Sequence, residues 1–234
     1  ERPDHLFSDY AYFSSYSDMF LQHAKEYVDM AVERFSLGTQ SYVVEIASND
    51  GYLLQNFVKR GIRVLGIEPA KNVAEVAVKK GIPSCVKFFG MQTAQELVAE
   101  ERRPDLIIGN NVLAHVPDLN DFVAGLKVLL GDGGIITIEF PHLMRLMAMN
   151  QFDTIYHEHF SYFSLTTVSQ VFAKHGLTIF DVEEVSTHGG SLRIYARHTD
   201  DHAKSVTDRL TALSTKEKME GFTALEHYLF FSEK

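Results

Sequence analysis

Between residues 42 and 140, five short apolar runs alternate with helix-patterned stretches, and this alternation restricts the chain to a parallel α/β sheet. The runs cover residues 42–47, 62–67, 84–88, 105–109 and 134–140, and the helical stretches fall near 51–60, 70–80, 92–101 and 119–130. Strands joined through helices in this way lie parallel, with right-handed crossovers. Beyond the fifth run the pattern changes. Residues 165–175 read as helix, and 177–182 and 192–196 read as two strands joined by a turn at 186–191. A closing hairpin therefore adds one antiparallel strand to a mostly parallel sheet of seven. Ahead of the sheet, Phe20, Ala24, Tyr27, Val28, Ala31 and Phe35 recur at helical spacing over 15–36, with Gly38 as the stop. Residues from about 200 onward read as helical and charged on one face.

Composition narrows the classes of partner. The chain has 234 residues, 45% apolar and 23% charged, enough for one substantial core. A net charge of −9 without a dense Lys/Arg block disfavours a long phosphate backbone as ligand, so nucleic acid is not expected. No run approaches the roughly 20 apolar residues that span a bilayer, and residues 1–5 do not resemble a secretory signal. A cytoplasmic protein without membrane contact is the expectation. The single cysteine, Cys85, excludes an internal disulfide and a multi-cysteine zinc site within this sequence, and reads as a small buried residue.

In an open parallel sheet, ligands sit beyond the carboxyl ends of the strands. Four segments meet there. The first is Glu45-Ile46-Ala47-Ser48-Asn49-Asp50-Gly51, where small side chains let backbone approach a ligand and Gly51 opens the next helix. The second places Glu68 and Pro69 at the end of the second strand, about 20 residues further on, the spacing at which an acid binds ribose hydroxyls. Residues 88–91, with Phe89, offer an apolar wall for adenine. Asn110, Asn111 and His115 supply polar contacts. Singly, each has a plainer reading: Glu68 as a helix cap, the Phe pair as core, the Asn pair as turn formers.

Taken in order, these segments resemble the class I S-adenosylmethionine-dependent methyltransferases over residues 40–198. The resemblance implies a Rossmann-like fold with helices on both faces and S-adenosylmethionine as cofactor. It places Asn110, Asn111 and His115 beside the methionyl group and makes Glu68 the ribose ligand. The first turn lacks the three-glycine fingerprint that a dinucleotide diphosphate requires, whereas S-adenosylmethionine carries no phosphate. An NAD-binding fold is correspondingly disfavoured.

A narrower resemblance rests on six segments: 10–17, 45–51, 66–69, Glu139-Phe140-Pro141-His142, Tyr156-His157-Glu158-His159-Phe160-Ser161-Tyr162-Phe163-Ser164 and His188-Gly189-Gly190-Ser191-Leu192-Arg193. Together they are similar to the C-methyltransferases that act on nucleotide-linked 4-keto deoxysugars. Such a reaction needs a base, because a sugar carbon becomes nucleophilic only when a proton next to the ketone is removed. Imidazole suits that task, with an unperturbed pKa near 6.5. By matching residue to residue, the resemblance makes His159 the base and Tyr156 and Glu158 its companions. Glu158 would orient an imidazole or bind a sugar hydroxyl, and Tyr156 would donate to the developing enolate oxygen; the two roles can be exchanged. Taken alone, the same histidines read as ordinary polar loop residues. A metal site is not expected, since His157, Glu158 and His159 are too close in sequence to converge easily on one ion.

Substrate-side candidates are Tyr12 and Ser14 in a lid, His142 at the end of the fifth strand, and His188 and Arg193 around the hairpin. The lid also reads as an ordinary capped helix start, with Ser15 or Ser17 as cap, and the hairpin as a simple glycine turn. The domain plan expected is a helical lid segment over 1–39, the cofactor domain over 40–198, and the helical start of a further domain over 199–234. Relatives of this kind are longer, with a cysteine-rich zinc-binding lobe before the methyltransferase domain and an α/β domain after it. The chain is expected to be the central part of such a protein, with zinc only in a lobe outside this sequence. Two other functions fit the same residues: an O- or N-methyltransferase acting by proximity, and a non-catalytic domain binding partners through its acidic surface. Oligomeric state is not set by these features.

Overall fold

The computed structural model describes residues 13–100, 103–229 and 231. Its seven strands are β1 (Tyr42–Ile46), β2 (Arg63–Ile67), β3 (Ser84–Cys85), β4 (Leu106–Asn110), β5 (Ile135–Pro141), β6 (Leu177–Val185) and β7 (Ser191–His198). They form one sheet in the order β3-β2-β1-β4-β5-β7-β6, in which β1 to β5 pair in parallel and β7 runs antiparallel to both neighbours. The sheet and its single antiparallel strand agree with the alternation in the sequence.

The helices are α1 (Asp18–Arg34), α2 (Gln55–Val58), α3 (Lys71–Lys79), α4 (Met91–Glu100), α5 (Leu119–Leu129), α6 (Leu143–Met149), α7 (Leu165–Lys174), α8 (Asp208–Met219) and α9 (Leu225–Leu229). Side-chain caps start several of them: Ser17 accepts from the Phe20 amide, Asp118 from Asp121 and Ser164 from Thr167. Alternate residues of each central strand face opposite cores. Val44, Ile46, Ile107, Ile136, Ile138 and Phe140 pack with α4, α5 and α7, whereas Val43, Leu106 and Ile108 pack with α1 and α2. Burial on both faces explains why these strands read as continuous apolar runs.

Two elements differ from the sequence reading. The helix expected over 51–60 contracts to α2, because Ala47, Asn49 and Gly51 all adopt positive φ and the chain spends residues 47–54 turning. The strand expected over 84–88 stops at Cys85, where the Lys87 amide turns back to the Cys85 carbonyl and sends Phe88 and Phe89 toward the cofactor edge. Helix α6 has no counterpart in the sequence reading.

The α1 face of the sheet is polar as well as apolar. Tyr27 shares a 2.6 Å hydrogen bond with Thr137, His23 reaches Glu139 at 3.1 Å, and Arg34 pairs with Asp181. Arg193, buried over the Tyr27 ring, donates to Glu139 at 3.0 Å and to Glu183 at 3.2 Å. Burial acts to raise the Glu139 pKa, but the His23 hydrogen bond, the Arg193 charge and the Thr187 hydroxyl prevail and hold it at about 2. Because its folded pKa is depressed, Glu139 contributes stability above the ordinary glutamate range of about 4.5, and this is lost as pH falls toward about 2.

Replacing Glu139 by Ala leaves Arg193 buried and short of a partner, and is expected to cost roughly 3–5 kcal/mol in equilibrium denaturation. The same measurement should show the wild type losing stability as pH falls from about 4.5 toward about 2, and the variant losing less. An equal acid loss in both proteins would refute the assignment.

Candidate functional site

Strands β1, β2, β4 and β5 run parallel, so their C-terminal ends open on one edge, and a cavity of about 310 Å³ lies there. Ala47 and Asn49 from the β1 turn, Glu68 and Pro69 after β2, and Asn110 and Asn111 after β4 line it. Phe88 and Phe89 form an apolar wall, with Phe89 set edge-on against Phe122 at 5.2 Å. Among the described residues five non-glycine positions have positive φ, and three of them, Ala47 (56°), Asn49 (50°) and Asn111 (52°), are in this wall. Left-handed backbone costs energy at Ala in particular, and such strain concentrates where backbone must present itself to a ligand.

The loops are held by buried carboxylates. Glu68 accepts the Asn49 amide through Oε2 and the Ala70 amide through Oε1, both at 2.9 Å. Its pKa is raised, since burial outweighs these two hydrogen bonds. The lid side is tied to the same turn. The Ser14 amide donates to Oδ1 of Asn49 at 2.9 Å, the Ser15 hydroxyl donates to Asp50, and Ser14 and Phe20 join the cavity wall.

Not every candidate faces the cavity. Glu45 is wholly buried in β1, and burial, then the neighbouring Glu68 and Asp50, push its pKa well above the usual range. Ser48 is buried away from the wall, and Asp50 is bound to Lys80 at 2.9 Å. Gly51 acts through packing: at φ +76°, a Cβ there would meet Ile82 at 2.2 Å. These four shape the turn from behind. Among the substrate-side candidates, Arg193 serves the buried network under α1 and His142 is fully buried against Glu217, with Nε2 to Oε1 at 2.8 Å. Both depart from the substrate contacts expected of them, because both side chains are buried, with Nε2 of His142 engaged by Glu217 and the terminal nitrogens of Arg193 by Glu139 and Glu183. Tyr12 lies outside the described residues, and His188 is placed only by its backbone, in the turn Thr187–Gly189.

At the mouth of the cavity stand three rings. Tyr156 lines the cavity, and its hydroxyl lies 3.1 Å from Nε2 of His159. Nδ1 of His159 lies 2.8 Å from the Thr154 carbonyl. A carbonyl can only accept, so Nδ1 carries the proton and the neutral ring presents its lone pair at Nε2, toward the Tyr156 hydroxyl. His115, also in the wall, packs edge-on to His159 at 4.8 Å and donates from Nδ1 to the Glu158 carbonyl at 3.1 Å. The Phe160 amide bonds the Ala114 carbonyl at 2.8 Å, so the 112–117 loop and the Tyr156–Tyr162 stretch dock as one surface. The His159 ring is thus oriented by Thr154 and Tyr156; Glu158 contributes its carbonyl to His115. Sequence reasoning missed Thr154, which acts through its backbone and leaves no trace in residue type. It also missed Tyr52, Lys87 and Val112 in the wall.

The residues fit S-adenosylmethionine. Oδ1 of Asn110 and Oδ1 of Asn111 are buried and accept from no described group, which suits them to an ammonium, and Glu68 keeps lone pairs for ribose hydroxyls. Among the described residues no cluster of three His, Cys, Asp or Glu could hold a metal ion, and no helix is long and apolar enough to cross a membrane.

Burial, then the adjacent His159, depress the His115 pKa to about 4. NMR titration should therefore find the His115 imidazole neutral until pH nears about 4, with its midpoint rising in His159→Ala. An ordinary midpoint near 6.5 would contradict this packing.

Comparison with known proteins agrees with this geometry. Residues 20–182 match the methyltransferase domain family, and residues 186–234 match the C-methyltransferase C-terminal domain. The chain is 36% identical over 231 residues to the C-methyltransferase NovU of Streptomyces niveus, covering 98% of this chain and 54% of NovU. A ubiquinone biosynthesis O-methyltransferase of Methylobacterium sp. (strain 4-46) is 30% identical over 94 residues, 40% of this chain and 38% of that protein. The chain thus spans about half the length or less of these curated relatives. The PH0226 protein of Pyrococcus horikoshii OT3 shares the fold with a TM-score of 0.65 at 15% identity, over 80% of this chain and 94% of its own. Magnesium protoporphyrin IX methyltransferase from Synechocystis PCC 6803, solved with bound S-adenosylmethionine, superposes with a TM-score of 0.55 at 16% identity, over 76% and 81% of the two chains. The chain belongs to the class I S-adenosylmethionine-dependent methyltransferases.

Proposed function

We propose that the protein transfers a methyl group to a carbon next to the ketone of a nucleotide-linked 4-keto deoxysugar, with His159 as base. The observation that carries this reading is the fixed tautomer of His159. Thr154 holds the proton on Nδ1, which leaves Nε2 to accept a proton from a substrate carbon. When bound, S-adenosylmethionine supplies an electrophilic methyl group on a sulfonium centre.

The residues divide the remaining work. Nε2 takes the C–H proton and the electron pair moves toward the ketone oxygen. The Tyr156 hydroxyl, which rests on Nε2, turns to donate to that oxygen as charge develops. Burial, then the charges of Glu158 and Tyr162, raise the Tyr156 pKa, so the phenol stays protonated and able to donate. Glu158, whose carboxylate is not what orients His159, is left to bind a sugar hydroxyl. His115 stays neutral beside His159, so protonated His159 meets no second cation there. Tyr12, Ser14 and His188 are assigned to binding the substrate. The same proposal divides the chain into a lid segment over 1–39, a cofactor domain over 40–198 and a helical segment over 199–234, and puts the protein in the cytoplasm.

An O-methyltransferase is the second reading, favoured by similarity to the ubiquinone biosynthesis O-methyltransferases. Proton exchange separates the two. In D2O, wild type with a dTDP-4-keto-6-deoxy sugar should wash deuterium into the carbon beside the ketone, and His159→Ala should lose roughly 10²–10⁴-fold of that rate. Tyr156→Phe should lose roughly 10²–10³-fold. Exchange that is absent in wild type, or indifferent to His159, would favour transfer to oxygen. Calorimetric titration tests the non-catalytic alternative: S-adenosylmethionine should bind saturably, and Glu68→Ala should weaken it by about tenfold or more.

A further inference from the structure

The stretch that carries Tyr156 and His159 leaves the sheet after β5 and returns at the start of α7, and its two feet touch. The Leu143 amide donates to the Phe163 carbonyl at 2.9 Å, and His142 and Phe163 form an isolated parallel bridge. One carboxylate lies under both feet. Glu217, on α8, accepts Nε2 of His142 at 2.8 Å through Oε1, and the Leu165 amide through the same oxygen at 2.6 Å. Its Oε2 accepts the Thr166 amide at 2.7 Å and the Thr166 hydroxyl at 2.6 Å. Four donors therefore converge on one side chain. Glu217 and His142 are both 0% exposed. Of α8, Leu213 and Glu217 are buried, so this carboxylate helps to seat the helix, together with Leu210 on the core and Arg209 on Asp181.

We propose that Glu217 is a positioning residue for proton abstraction: from α8 it clamps both ends of the 142–164 segment and so keeps the Thr154 carbonyl, Tyr156 and His159 aligned at the cavity mouth. The inference rests on the reading of His159 as base for its catalytic consequence, and on geometry alone for its structural one. Between the feet, residues 150–162 contain only a single 3-10 turn, Phe152–Thr154; His159 packs against Tyr156 and Tyr162 within the stretch and against His115 outside it, and Phe152 stacks on Phe231. Besides the clamp at its ends, the stretch is held by its docking on the 112–117 loop, by Gln151 donating to the Gly189 carbonyl at 2.8 Å and by Tyr162 packing on the Met144, Leu146 and Met147 cluster. Burial opposes a charged Glu217, and the hydrogen bonds from His142, Thr166 and Leu165 outweigh it and lower its pKa, as a fully engaged carboxylate requires. The clamp also joins two family segments, since α8 lies in the region 186–234 and the clamped stretch in the region 20–182.

Hydrogen exchange with mass spectrometry tests the clamp. In Glu217→Gln, amides of residues 154–162 should exchange about tenfold faster, while β1 and β4 keep wild-type protection and S-adenosylmethionine affinity changes by less than about twofold. In the full-length protein, deuterium wash-in to the dTDP-4-keto-6-deoxy sugar should fall about tenfold in kcat with KM little changed. His142→Gln, which can still donate to Glu217, should retain at least about half of the wild-type rate. Unchanged exchange at 154–162, or loosening spread evenly over the sheet, overturns the proposal. If Glu217→Gln does not fold, Thr166→Val removes one of the four donors alone, and loosening confined to 154–162 or its absence decides the matter. Absence of wash-in by wild type counts against the base, not the clamp, which the amide exchange judges separately.

Discussion

All five parallel strands must end on the same side of the sheet, and the site depends on that constraint. A strand followed by a right-handed crossover returns in the same direction, so turns separated by dozens of residues become neighbours. Ala47, Glu68 and Asn111 meet for this reason alone, and the antiparallel β7 brings the Thr187 turn to the same edge by running the other way. The apolar content of the strands is the consequence of covering both faces, and it leaves polar chemistry to the loops.

Buried charge does the work of alignment around that edge. Glu68 joins the β1 turn, through the Asn49 amide, to the loop after β2, through the Ala70 amide; Glu139 joins α1, β7 and the Thr187 turn, and Glu217 joins α7, α8 and the end of β5. Each carboxylate is shielded from water and answered by several donors. An unanswered buried charge is costly, so each of these contacts specifies one arrangement rather than a family of them. Glu45 is the exception. Buried without such a set of donors and next to two other acids, it has its pKa pushed well above the usual range.

What could be read from residues alone follows the same physics. Period and apolar content revealed the sheet, the hairpin and α1, because secondary structure and burial are written locally. The cavity wall was legible where it uses a strand end followed by small or acidic residues, as at Ala47, Asn49, Glu68 and Asn111. Motif matching failed for His142 and Arg193, which carry the right chemistry for a ligand but face Glu217 and Glu139, partners 75 and 54 residues away in sequence. No local pattern reveals such a partner. The Thr154 carbonyl was equally invisible, since every residue has one.

The chemical account turns on a single nitrogen. Thr154 holds the His159 proton at Nδ1, Tyr156 meets the lone pair at Nε2, and His115 keeps a neutral ring alongside. Remove that tautomer and the ring becomes a donor where an acceptor is needed, whatever the donor groove binds. Long-range 1H–15N NMR of the imidazole rings reads this directly. At neutral pH the account predicts that the neutral form of His159 has a protonated Nδ1 and a bare Nε2; a neutral ring protonated at Nε2 would contradict it.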